Sequence, residues 1–138
     1  MNEYEFKDLR EGMQASFEKK ITAKDISDFV KVTGDNNPLH VDTIFYKDYG
    51  FKAPVVHGLL VNSMISTLCG VHLPGKYCLI LSIESSMKNP CYEDDILKIK
   101  GEIIEKVESM KTIVVKTTIT NQDLEVIQSG KVYIKLLK

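Results

Sequence analysis

Apolar and polar positions follow two periods along this chain, and the period changes near residue 78. Before that point the spacing is mostly helical. Ile26, Phe29, Val30 and Thr33 stand at i, i+3, i+4 and i+7, which predicts the inward stripe of a helix over residues 23–33. Thr22 and Asp25 make a capping box with Asp in place of Glu, and Gly34 is a natural stop. Residues 13–18 alternate and predict a short half-buried strand. Asp42 reads as the N-cap of a two-turn helix over residues 43–49, closed by Gly50. Residues 55–70 are apolar on nearly all sides, as in a helix buried all round. Val55 and Val56 leave a strand open, but the length of the run favours helix. Inside that run Asn62 with Ser66, and Ser63 with Thr67, form polar pairs at i, i+4, which back-bonding to carbonyls one turn earlier would satisfy.

After a turn at Leu73-Pro74-Gly75 the period becomes two. His72, just before it, is expected to face solvent. Strands are predicted over residues 78–87, 95–105, 112–120 and 125–137. Leu97, Ile99, Gly101 and Ile103 share one face, as do Ile113, Val115, Thr117 and Ile119, and Gly130, Val132, Ile134 and Leu136. Short turns at 107–111 and 121–123 imply antiparallel pairing. Helices followed by a strand meander make the fold class α+β, with residues 1–138 as one domain. A lone sheet of this kind leaves an edge open, which two copies pairing edge to edge would cover, so a homodimer or a multiple of it is expected.

Composition narrows the function. The 138 residues are 43% hydrophobic and 27% charged, ordinary values for a globular protein. A net charge of −1 gives no electrostatic reason for a nucleic-acid partner or an anionic membrane partner. No stretch is apolar enough to span a bilayer, and the first residues lack a signal core, so a cytoplasmic location is expected. Cys69, Cys78 and Cys91 are odd in number and include no Cys-x-x-Cys pair. Reduced thiols are therefore expected, with no metal site.

The candidate chemistry lies between Gly34 and Gly58. Asp35 and His40 flank Asn36-Asn37-Pro38, a turn-forming run in which the proline pushes Asn37 out of the α region. That segment is expected to be irregular. A carboxylate and an imidazole held together by a stiff turn can share acid and base work near neutral pH. The same two residues would also suit a surface loop with a capping Asp and an ordinary His.

Asp35-Asn36-Asn37-Pro38-Leu39-His40, then Asp42, Gly50-Phe51, Pro54 and His57-Gly58, resembles the signature of MaoC-like (R)-specific enoyl-CoA hydratases. The match runs in register from Ile21 to Leu73, with a weaker echo at Met87-Lys88-Asn89-Pro90 and Asp94-Asp95. The resemblance implies a hot-dog fold, a long central helix wrapped by an antiparallel β-sheet. It implies Asp35 and His40 as the catalytic pair and the Gly58 backbone amide as the oxyanion donor. Asn37, His57 and Ser63 become candidates to support them, with His57 more a structural group beside the helix start. Ser63 corresponds to a serine near the pocket in several members. Tyr46 stands near where members often carry a small residue, so its bulk is expected to reshape a pocket wall.

The implied reaction is reversible hydration of a trans-2-enoyl-CoA to an (R)-3-hydroxyacyl-CoA, with no metal or redox cofactor. Coenzyme A is the first choice of carrier and acyl carrier protein the second. Lys88 is a weak candidate for contacting phosphate. A non-catalytic acyl-thioester-binding subunit is the alternative of another class. A thioesterase would need a carboxylate on the central helix, and residues 55–70 contain none.

Overall fold

The computed structural model describes Met1–Lys138. Five strands form one sheet: β1 (Gln14–Lys20), β2 (Cys78–Met87), β3 (Ile96–Val107), β4 (Thr112–Thr120) and β5 (Val126–Leu136). Their order is β1-β3-β4-β5-β2, and every neighbouring pair is antiparallel. The inward faces are those the alternation predicts. Leu97, Ile99, Gly101 and Ile103 on β3 are buried, as are Ile113, Val115, Thr117 and Ile119 on β4 and Val132, Ile134 and Leu136 on β5. No helix is long and apolar enough to cross a membrane.

One helix lies on the concave face. It is α3 (Gly58–Thr67), continued by a wider π-helical turn over Leu68–His72. It begins three residues later than expected, because Val55 and Val56 are extended. The Val55 N–H donates to the Leu39 carbonyl, the Val56 N–H donates to the Cys91 carbonyl, and Val55 bridges to Tyr92. The helix is also not buried all round. Leu60, Val61, Ile65, Leu68 and Cys69 face the sheet and are buried, whereas Leu59, Ser63, Ser66 and Thr67 are exposed. Each fully buried aliphatic side chain of that inner face contributes roughly 1.5–3 kcal/mol. Gly101 is what allows the close approach. A Cβ there would stand 2.9 Å from Leu68 Cδ2 and 3.0 Å from Val115 Cγ1. His72 does not face solvent freely, since its ring is half-buried and stacks on Phe17 at 5.1 Å.

Two polar side chains are completely buried between the sheet's inner strands. Thr117 and Gln128 are completely buried on the inward face of β4 and β5, where Gln128 Nε2 donates to Thr117 Oγ1 at 3.2 Å. Burial of such groups is tolerated because they satisfy each other.

The helix α1 (Ala23–Thr33) is held by its predicted cap. The Asp25 N–H donates to Thr22 Oγ1, and the Thr22 N–H donates back to Asp25 Oδ2. Lys19 adds two bonds to the same carboxylate. Gly34 ends the helix with φ 76°, a left-handed conformation that glycine adopts without Cβ strain. Burial alone would push the Asp25 carboxyl up, but the Lys19 ammonium and the Thr22 donors outweigh it and hold it at about 2. The folded value lies below the unfolded one, so this stability is present above about pH 4 and lost as pH falls toward 2. Replacing Asp25 by Ala is expected to destabilise by about 1–3 kcal/mol at pH 7. Urea unfolding as a function of pH checks this, and the mutant's deficit should shrink between pH 4 and pH 2.

Candidate active site

The loop after α1 turns on its own polar atoms. Asp35 Oδ1 accepts from the Asn37 N–H at 3.2 Å, and Asn37 Oδ1 accepts from the Leu39 N–H at 2.9 Å. With Pro38 at its first position, the segment forms a single helical turn, α2 (Pro38–Val41). The expectation of an irregular segment is thus corrected. Proline at N1 and an Asn cap are the two features that start a helix, and here they do so. Asn37 acts by capping the turn that carries His40.

His40 is fixed by its Nδ1, 2.6 Å from the Val55 carbonyl oxygen. A carbonyl only accepts, so Nδ1 carries the proton and Nε2 is left for chemistry. His57 lies beneath it, with the ring centroids 3.9 Å apart. His57 is 2% exposed, and its Nε2 donates to the Asp35 carbonyl at 3.0 Å. Its other face meets Phe29 at 4.9 Å. The residue therefore ties the Asp35 backbone in place and supports the His40 ring. His57 Nδ1 is buried without a partner, a local cost borne by the surrounding packing.

Asp35, His40 and His57 hold nitrogen and oxygen atoms within 4.8 Å of one another. These are metal-ligand residue types, but a metal needs a lone pair on each imidazole nitrogen it meets. His57 Nε2 and His40 Nδ1 are both committed as donors to carbonyls, and His57 Nδ1 is buried. That leaves only His40 Nε2 and the Asp35 carboxylate as free lone pairs. The geometry suits proton transfer better than ligation.

Gly58 is the first residue of α3, following His57 as N-cap. Its N–H has neither a backbone nor a side-chain acceptor, as is usual for the first turn of a helix. Gly58 and the Asp35–His40 pair open on one cavity of about 380 Å³, completed by Leu59, Asn62, Ser85 and Met87. A second cavity of about 350 Å³ shares His40, Gly58 and Met87 and continues past Phe51 to Lys88. A larger space of about 560 Å³ between α1 and Tyr92 touches this region only through His40.

Ser63 is exposed, does not line these cavities, and donates to the Leu60 carbonyl. Tyr46 lines neither cavity. The two-turn helix expected over residues 43–49 with Asp42 as N-cap does not form. Asp42 ends α2, and a short 3-10 helix over Phe45–Tyr49, with Ile44 at its N-cap, runs to Gly50. The reason is that the Asp42 carboxylate folds residues 42–45 into a tight turn first. The Ile44 and Phe45 N–H groups donate to that carboxylate and hold it below the ordinary value. Sequence reasoning missed Asn62 as a cavity residue. It also missed Ser85 and Met87, since nothing in the order of residues says which part of β2 reaches the start of α3. The cysteines are free, and burial pushes them to about 12 for Cys69, 11 for Cys78 and 12 for Cys91. None is a thiolate near neutral pH.

Known proteins are similar to this chain in sequence and in fold. The MaoC like domain family matches residues 6–123. The (R)-specific enoyl-CoA hydratase of Aeromonas caviae is 31% identical over 128 residues, covering 93% of this chain and 96% of that protein. The 3-hydroxybutyryl-CoA dehydratase of Methylorubrum extorquens is 29% identical over 133 residues, covering 96% of this chain and 84% of that one. The solved (R)-hydratase structure from A. caviae superposes with a TM-score of 0.88 at 31% identity, covering 93% of this chain and 97% of that one. Five antiparallel strands wrapped around one helix, together with these likenesses, establish the hot-dog fold. The chain belongs to the MaoC-like domain family of hydratases and dehydratases.

Proposed function

We propose that this protein adds water to trans-2-enoyl-CoA thioesters, giving (R)-3-hydroxyacyl-CoA, and catalyses the reverse dehydration. The observation that carries this reading is a single cavity bounded by the Asp35 carboxylate, His40 and the unpaired Gly58 N–H. Hydration needs a base for the water, a proton for C2 and a donor for the thioester oxygen, where charge gathers as C3 is attacked. Asp35 accepts the water proton. His40 orients the water through the Nε2 lone pair, and the proton that Asp35 takes from the water passes to C2 with His40 sharing in its delivery. The Gly58 amide, at the positive end of α3, holds the oxygen. One hydrogen and one hydroxyl are added in all, and the pair returns to its starting state. The names of the relatives favour coenzyme A as carrier.

Crotonyl-CoA tests this directly. Hydration removes the conjugated enoyl absorbance and yields the (R) product on chiral analysis. Release of free thiol would mean hydrolysis instead, and no change at all would leave a binding module.

We also propose a homodimer paired along β2. The other sheet edge, β1, carries Glu18, Lys19 and Lys20, charges that discourage pairing. On β2 the apolar Leu79, Leu81, Ile83 and Met87 are 44–56% exposed, and Leu59 of α3 is 71% exposed nearby. Light scattering should give about twice 15.6 kDa, or a multiple of that, at micromolar concentration. A 15.6 kDa species there would refute the pairing.

A further inference from the structure

Asn62 and Ser85 make one side of the candidate cavity polar, and that polarity has a direction. Asn62 lies four residues after Gly58, so it shares the helix face about 6 Å further along the axis. Its Oδ1 accepts from Ser85 Oγ at 2.8 Å. Ser85 Oγ in turn accepts from Gln128 Nε2 at 3.1 Å, and Gln128 is bonded to Thr117. Gln128 and Thr117 are completely buried, so the series is anchored in the core. With Oδ1 taken, the Asn62 amide nitrogen is the atom left for the cavity, and no protein acceptor meets it.

We propose that Asn62, oriented by Ser85 and the buried Gln128–Thr117 pair, is a specificity residue that selects acyl chains bearing an oxygen acceptor a few carbons beyond C3. This rests on the hydratase reading above. The carrier's phosphates suit the other end, where Lys88 offers a cation, which leaves the Asn62 end for the acyl group. With the thioester oxygen at Gly58, a few carbon–carbon bonds span the distance to Asn62. A hydroxyl or carbonyl oxygen there replaces the water lost from the amide N–H. A plain alkyl chain buries that donor without a partner, which is costly.

The test uses binding, so that it does not depend on turnover. Isothermal titration compares 6-hydroxyhexanoyl-CoA with heptanoyl-CoA, which has a methyl in place of the hydroxyl. The wild-type protein should bind the hydroxylated ligand about tenfold more tightly. Asn62→Leu should erase or reverse that preference, and Ser85→Ala should weaken it by letting the amide turn over. Equal wild-type affinities would overturn the proposal without recourse to any variant, as would an Asn62→Leu protein that keeps the preference. Hydration of crotonyl-CoA is scored separately. Turnover without the preference would sink only the role of Asn62, and the preference without turnover would sink only the catalytic reading.

Discussion

Asp35→Asn and His40→Gln should each lower kcat for crotonyl-CoA by about 10²–10⁴, the range typical of lost general acid–base catalysis. The carboxamide of Asn can still accept the Asn37 N–H that Asp35 Oδ1 now accepts, so the turn should survive. His40→Gln gives up the bond to the Val55 carbonyl, worth about 1 kcal/mol. His40→Asn is the useful companion, because its amide nitrogen can take the place of Nδ1 while Nε2 is lost. Both His40 variants should be equally inactive if Nε2 is the working atom. The double mutant should be little worse than either single one, since residues that act as a unit do not add. A folded single variant, checked by circular dichroism, that hydrates crotonyl-CoA at near wild-type rate would show the pair to be misassigned.

Gly58→Val should cost about 10²–10³ in kcat and raise KM as well. The donor here is a backbone amide, so deleting a side chain cannot probe it, but adding bulk can. A Cβ at Gly58 would meet Met87 Cγ at 3.4 Å and Cε at 3.6 Å, the flexible end of a side chain on the cavity wall. The helix start therefore accommodates the new atoms, and the valine methyls intrude where the thioester oxygen is to bind. Valine is also no worse than glycine in a helix. The variant should keep its fold while failing in both kinetic parameters. Unchanged kcat and KM on a short enoyl-CoA would mean that the oxygen binds elsewhere and that α3 begins at a glycine for packing alone.

Much of this molecule is legible in one dimension because its governing interactions are local. The Thr22–Asp25 box and the Gly34 stop depend on atoms within a few residues of each other, so their spacing alone predicts them. The alternation in β3, β4 and β5 likewise reports which face is buried, because successive side chains must point to opposite sides of a sheet. The stretch from Asp35 to Gly58 could be picked out as the candidate chemical centre for a similar reason: the carboxylate and the imidazole sit on one short segment.

Contacts between distant segments were decided only in three dimensions. The bonds from His57 to the Asp35 carbonyl and from His40 to that of Val55 span 22 and 15 residues. No periodicity encodes them. The apolar character of residues 55–70 was misread as burial on every side, since composition reports hydrophobicity but not which partner covers it. Asn62 is the clearest case. Helical spacing suggests a side chain bonded to its own backbone, whereas the fold brings Ser85 of β2 to it, and Gln128 of β5 to Ser85. Local sequence can fix caps and faces, because neighbours supply those partners. Which polar groups meet across the core depends on how the sheet closes over α3, and that is a property of the packing as a whole.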